Sequence, residues 1–469
     1  MAKWIPMLLS LFLPLASQNS VQQHPSCKFH LSFLQGQQMT CSNANMNFFH
    51  IFDIPLNRTH WFKCANCSLD VLDETTFNFP KRNNISVLEL PNSGVRVIRK
   101  FAFQKFFLIK SLILHNNSIQ TMENMCFNGI KRLTQLDLSS NYIKILANNL
   151  FLDLENLDIL NLNNNRIVYI NSEAFSGLSN LKYLYLNGNN LDKLDDNVFK
   201  HLIHLKILYL EHNRINNIHP HAFNNLVNLN FLYLSHNSIS YLVQYNFKHL
   251  TSLVDLHLRY NNLTEIQTSS FNGLKNVRSL HLGNNYITVI KPYGFVGLNN
   301  LEVLDLINNR FETVNYFDYF GNMQNLKYLW LNNNSINSIN FVYKFDIQNS
   351  LSIIDISDNN LTSIDYESML SNLPNIKEIF VANNSWECDF FDRMYNYLQN
   401  NNVTVCINNK CEDKDGDTYA DIDCIRAVTD VAFNVTEDVS TDFSMDCCQK
   451  NTHFEILSVC LIAVLLGFI

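Results

Sequence analysis

The stretch LKYLYLNGN (Leu181–Asn189) is followed 24 residues later by LKILYLEHN (Leu205–Asn213), and after the same interval by LNFLYLSHN (Leu229–Asn237). All three read L-x-x-L-x-L-x-x-N. Followed in both directions, the pattern's asparagine stands at Asn117, Asn141, Asn165, Asn189, Asn213, Asn237, Asn261, Asn285 and Asn309 in steps of 24, then at Asn334, Asn359 and Asn384 in steps of 25. One earlier unit carries Ser93 in the asparagine place, giving thirteen units over 85–385. Each unit begins as a short alternating strand and continues through an Ile-x-x-Ile stretch and a Phe-x-x-Leu segment, as at Ile167, Ile170, Phe175 and Leu178. No such unit buries its apolar side alone, so consecutive units must stack around a shared core. The expected fold is an α/β solenoid, a horseshoe whose strands form one parallel sheet on the concave wall. The asparagine amide is expected to satisfy buried backbone groups at the exit from the strand. It is also expected to take the turning duty of glycine, since the chain holds only 12 Gly and 9 Pro in 469 residues.

An open solenoid exposes core at both ends and needs caps. The 12 cysteines are placed accordingly: Cys27, Cys41, Cys64 and Cys67 before the repeats, Cys126 alone within them, and seven from Cys388 onward. Residues 18–84 are read as an N-terminal cap and 386–424 as a C-terminal cap, both disulfide-stabilised. Cys388, Cys406, Cys411 and Cys424 allow three pairings, and Cys126 is expected to be a buried free thiol. Cys447 and Cys448 offer a link to a second chain, hence a disulfide-linked oligomer.

The two ends indicate an extracellular destination. Residues 1–17 have the charge, apolar run and small residues of a secretory signal. Sequons for N-glycosylation follow at Asn57, Asn66, Asn84, Asn116, Asn262, Asn333, Asn360, Asn383, Asn402 and Asn434. After a polar stalk, 425–453, the apolar tail 454–469 is short for a membrane span. It reads as a glycosylphosphatidylinositol signal with attachment near Ser440–Asp442, the alternatives being a short anchoring helix or full secretion. The chain is therefore expected on the outer face of the plasma membrane, GPI-anchored, or secreted.

Together these residues resemble the extracellular leucine-rich-repeat family. Trp386, Cys388 and Asp389 are similar to the opening of that family's C-terminal cap, although Phe390 replaces its usual second cysteine. The Trp-x-Cys start and the later pair Cys447–Cys448 are more similar to the short insect leucine-rich immune proteins, without their coiled coil. That resemblance implies a bond from Cys388 to Cys406 or Cys411, complement-like protein partners, and a role in innate immunity.

Side chains between the leucines alternate onto the concave face. Tyr185, Tyr209, Tyr233, His257 and His281 fall in one row, with Tyr183, Ile207 and Phe231 beside it and Arg259 and Arg278 at its border. Aromatic and arginine side chains dominate binding hot spots, so this patch is the candidate site for an extracellular protein ligand. The competing interpretation is a generic surface stripe, since tyrosine is favoured in strands generally. No sequon lies between Asn116 and Asn262, which leaves the patch clear of N-glycans.

Other functions find little support. A net charge of −8 with no basic run disfavours a nucleic-acid partner. No G-x-S-x-G, H-E-x-x-H or Walker pattern occurs, and no cofactor is expected, so the chain is read as a binding protein and not an enzyme. Asp413, Asp415, Asp417 and Asp421 around Gly416 suggest a calcium loop, but Thr418 and Cys424 replace the glycine and glutamate such a loop needs; a solvated acidic loop is the preferred reading. The sequence leaves two alternatives to immune recognition open: a cell-surface adhesion or developmental protein, and a co-receptor that signals through another chain.

Overall fold

The computed structural model describes residues 26–32, 36–45, 47, 59–77, 84–342 and 350–407, all within one compact unit, 1–426. The signal segment, the stalk and tail, the acidic loop, Cys411, Cys424, Cys447, Cys448, Asn57 and Asn434 lie outside the described residues.

One 17-stranded sheet organises the unit. Its strands are β1 (Ser26–Ser32), β2 (Gly36–Ser42), β3 (Thr59–Ala65), β4 (Val87–Glu89), β5 (Ser111–Ile113), β6 (Gln135–Asp137), β7 (Ile159–Asn161), β8 (Tyr183–Tyr185), β9 (Ile207–Tyr209), β10 (Phe231–Tyr233), β11 (Asp255–His257), β12 (Ser279–His281), β13 (Val303–Asp305), β14 (Tyr328–Trp330), β15 (Ile353–Asp355), β16 (Glu378–Phe380) and β17 (Thr404–Cys406). β1 and β2 pair antiparallel. From β2 onward each strand pairs parallel with the next, and from β4 to β16 there is one strand per unit read in the sequence. The structure is thus a leucine-rich-repeat solenoid. Its coils begin one turn before the first sequence unit, because Phe62 and Cys64 of β3 occupy the buried leucine places.

The pattern's leucines are the core: Leu181, Leu184, Leu186, Leu205, Leu208 and Leu210 are all fully buried. On the other side of that core the phenylalanines of Phe-x-x-Leu form a spine. Phe103, Phe127, Phe151, Phe175, Phe199, Phe223, Phe247, Phe271, Phe295 and Phe320 stack at centroid spacings of 5.6 to 6.4 Å. The turning segments are mostly irregular. Among the described residues only two short helices occur behind the sheet, α1 (Tyr316–Phe320) and α2 (Tyr366–Asn372), both in coils of 25 residues.

The asparagines are fastened as the sequence suggests. In Asn165, Nδ2 donates to the carbonyls of Leu138 (3.0 Å), Leu162 (3.1 Å) and Asn163 (3.3 Å), while Oδ1 accepts from the Ile143 N–H at 3.1 Å. The turning duty, however, falls on the residue before it. Asn116, Ser140, Asn164, His212, His236, Tyr260, Asn284, Asn308, Asn333, Asp358 and Asn383 have φ of 52 to 55°, and Gly188 has φ 68°. The repeat asparagine stays in ordinary backbone and works through its amide alone, so its place is fixed by hydrogen bonding and not by φ.

Both ends are closed. The β1–β2 hairpin is cross-linked by Cys27–Cys41, directly opposite in register, and Cys64–Cys67 ties the exit of β3. At the other end α3 (Cys388–Asn400) buries Phe391, Met394 and Leu398, and β17 extends the sheet. Trp386 is fully buried and donates its indole N–H to the Val381 carbonyl at 2.8 Å. Cys388 and Cys406 are both disulfide-bonded. Cys126 is a buried free thiol, and burial raises its pKa well above the ordinary range. No helix among the described residues is long and apolar enough to cross a membrane.

Candidate functional site

Strand alternation sends every second side chain to the core and the others to the open face. Parallel pairing in register then sets equivalent residues of successive coils side by side. Tyr185, Tyr209, Tyr233, His257 and His281 form a continuous ladder, with centroid separations of 4.8, 4.6, 4.5 and 4.4 Å and planes within 25° of parallel. Tyr183, Ile207 and Phe231 make the neighbouring row, partly buried, and Asp255 continues it. Burial raises the phenol pKa of Tyr185, Tyr209 and Tyr233, so all three present neutral hydroxyls over apolar rings.

At its far end the ladder meets a group of alternating charges. Asp255, 3% exposed, points its two oxygens at two imidazoles: Oδ2 lies 3.2 Å from His257 Nε2 and Oδ1 lies 3.4 Å from His281 Nε2. On its other side, His281 Nδ1 faces Asp305 Oδ2 at 3.8 Å, and that oxygen accepts from Arg259 Nε at 2.5 Å. The Asp305 Oδ1 atom accepts from the Ile307 N–H at 3.0 Å. Burial opposes a charge on His281, yet the flanking carboxylates outweigh it and hold the pKa up at about 9. Burial lowers the pKa of His257, with the Asp255 carboxylate opposing and the neighbouring charges on His281 and Arg259 adding to the fall. Near neutral pH the set is therefore Asp255 anion, His281 cation, Asp305 anion, Arg259 cation, with His257 neutral. Such alternation keeps buried carboxylates ionised despite desolvation, and both aspartates lie below the usual carboxylate range.

The residues named from sequence occupy unequal places. His281 is only 5% exposed and supports the ladder from within, whereas His257 keeps 22% of its side chain open to a partner. Arg278 stands before β12 and points along the leading edge of the sheet, pairing with Glu302 at 3.3 Å beside a cleft of about 450 Å³. Arg259 alone borders the ladder directly. All eight described sequon asparagines are exposed, none of them within the ladder.

Two features escaped sequence reading. Asp255 was invisible as a partner of the histidines because its row looked apolar at Tyr183, Ile207 and Phe231. A second stack, His212–His236–Tyr260 with 4.3 Å spacings, runs along the trailing edge. It is built from the left-handed places, where bulky residues cost about 1–3 kcal/mol each. That cost was the available signal: two histidines and a tyrosine stand where asparagine recurs elsewhere.

Residues 83–143, 132–191, 180–239 and 251–311 match the family described as Leucine rich repeat. No curated protein matches the chain in sequence. Among solved structures, a leucine-rich-repeat protein of Leptospira interrogans is similar at 22% identity and TM-score 0.59, over 78% of this chain and 89% of that one. The LRIM1/APL1C complex is similar at 19% identity and TM-score 0.55, over 93% of this chain and 74% of that one. The TLR13–ssRNA13 complex is similar at 24% identity and TM-score 0.52, over 75% of this chain and 57% of that one. At these identities the likeness is one of fold.

Proposed function

We propose that this leucine-rich-repeat solenoid, which matches the family over residues 83–239 and 251–311, is an extracellular recognition protein whose sheet face holds a protein partner on the Tyr185–His257 ladder. The observation that carries this reading is the row of parallel aromatic rings on consecutive strands. Stacking fixes each ring before any partner arrives, so little side-chain entropy is lost on docking. Neutral phenols and one neutral imidazole offer hydrogen bonds without a large desolvation cost. A solenoid face of this kind is a binding surface, and no catalytic role is assigned to it.

The finer reading is innate immune recognition. It is supported by likeness to a fold also found in the LRIM1/APL1C complex, and by the resemblance of the C-terminal cysteines to the insect immune proteins. On that reading the ligand is a complement-like or cell-surface protein, and the chain is secreted or held at the outer membrane face by a lipid. An RNA ligand of the kind bound by TLR13 is not adopted, since the net charge of −8 would repel a polyanion.

Affinity capture with the secreted chain as bait, from body fluid and in parallel from solubilised cell membranes, tests the proposal. Capture from fluid supports immune recognition, and capture only from membranes supports adhesion. Against the captured protein, Tyr209→Ala with Tyr233→Ala is expected to lower affinity by roughly 30-fold or more. Unchanged affinity would remove the ladder as the docking site.

A further inference from the structure

We propose that Asp255, His257 and His281 form a binding site for a divalent metal ion of the zinc class. Each contributes one ligand atom, and these atoms lie within 4.8 Å of one another. Tetrahedral zinc with bonds of about 2.1 Å sets its ligands ~3.4 Å apart. Measured to different carboxylate oxygens, 3.2 Å from Oδ2 to His257 Nε2 and 3.4 Å from Oδ1 to His281 Nε2, the carboxylate–imidazole separations are of that order. Two imidazoles and one carboxylate make a donor set suited to zinc, and leave a coordination position for water or an incoming group.

A second observation is independent of those spacings. Asp255 Oδ1 and both ring nitrogens of His281 are buried and have no hydrogen-bond partner among the described residues. Their contacts are ion-pair approaches without hydrogen-bond geometry. Buried polar atoms are nearly always satisfied, so Asp255 Oδ1 and His281 Nε2, left without a hydrogen bond and facing each other at 3.4 Å, indicate a missing ligand. The surroundings also fit the outer shell of a metal site. Asp305 faces His281 Nδ1 and holds a proton on that nitrogen, so a metal binds at Nε2 by displacing the second proton of the imidazolium. Arg259 in turn neutralises Asp305. Since His257 is the partly exposed member, the open position faces the solvent side of the sheet.

A surface trio, Asp196, His219 and His221, meets the distance test as well, but its side chains are 43 to 57% exposed and none of its atoms is a buried unbonded one. It serves as the internal control. The full secreted chain, stripped with chelator, is titrated with zinc chloride alone by calorimetry, and cobalt(II) uptake is followed by visible absorption. The expected result is one ion per chain with tetrahedral-type cobalt bands, both lost in His257→Gln and Asp255→Asn and both kept in His219→Ala/His221→Ala. Asp305→Asn is expected to weaken zinc by about 10–100-fold. Because His257 is partly exposed, His257→Gln is expected to fold normally, which circular dichroism checks. No stoichiometric zinc binding by the wild-type chain overturns the proposal. So does binding that survives in folded His257→Gln, or that disappears only in the surface double variant.

Discussion

The asparagine ladder predicts a specific non-additivity. In Asn213, Nδ2 donates to the carbonyls of Leu186 (3.0 Å), Leu210 (3.0 Å) and Glu211 (3.3 Å), and Oδ1 accepts from the Leu191 N–H at 3.1 Å. Each carbonyl has a second donor: Asn189 Nδ2 on Leu186, Asn237 Nδ2 on Leu210 and the Gly188 N–H on Glu211. Asn213→Ala therefore orphans just one buried group, the Leu191 N–H, at about 1–3 kcal/mol, and weakens three others. A total of about 2–4 kcal/mol is expected. Asn189→Ala does the same one coil earlier, orphaning the Ile167 N–H. Combined, the two remove both donors from the Leu186 carbonyl, which neither does alone. The double variant should then lose about 1–3 kcal/mol beyond the sum of the singles. Asn189→Ala with Asn261→Ala is the control, because Asn261 donates to Leu234, Leu258 and Arg259 and shares no carbonyl with Asn189. That pair should add to within about 0.5 kcal/mol. Equilibrium urea unfolding followed by circular dichroism supplies all the values. Additivity in the adjacent pair, or equal coupling in the distant one, would refute the shared-acceptor account.

Phe199, fully buried with Phe175 and Phe223 at 6.0 and 6.2 Å, should cost about 3–5 kcal/mol as Phe199→Ala and about 1 kcal/mol as Phe199→Leu, read from urea midpoints. Gly177 has φ 91°, and a Cβ there would overlap the Leu152 carbonyl, so Gly177→Ala should destabilise by at least about 1–3 kcal/mol; a neutral melting temperature would contradict the geometry. Burial raises the Asp355 carboxyl to about 6, against hydrogen bonds from the Ser357 N–H and hydroxyl. A carboxyl raised in the folded state favours folding when protonated, so its contribution is complete below pH 3.8 and is lost as pH rises through about 6. The displacement corresponds to about 3 kcal/mol, which partial exposure of the side chain reduces to about 1–2. Asp355→Asn should thus stabilise the chain by about 1–2 kcal/mol at pH 7 and flatten its stability between pH 4 and 6. An unchanged pH profile would show that the carboxyl titrates normally.

What the sequence reveals depends on how many side chains a feature requires. The coil is legible because one residue type answers one local demand: only asparagine both donates to three carbonyls and accepts an N–H from the preceding coil. The ladder is legible because alternation assigns Tyr185, Tyr209 and Tyr233 to the same face by counting. The charge group is not, because Asp255 and His281 lie on different strands and in different rows, and their meeting depends on side-chain torsions that no spacing rule supplies. The direction of Arg278 is lost for a related reason. It precedes the strand, where alternation no longer decides which way a side chain points. The sequence does not separate the left-handed place from the amide place because asparagine is common at both, at Asn164 for its φ and at Asn165 for its amide.

The twenty-fifth residue of the later coils bears on how such a chain can change. In the coils 303–328 and 353–378, α1 and α2 take it up behind the core, while Val303↔Tyr328, Tyr328↔Ile353 and Ile353↔Glu378 stay paired in unbroken register. Length and display are thereby uncoupled. Insertions at the back widen a coil's girth and are silent on the inner wall, and single substitutions in the strands rewrite that wall without touching the winding. A lineage carrying this architecture can shift what it grips one side chain at a time while its scaffold absorbs length changes out of the partner's sight.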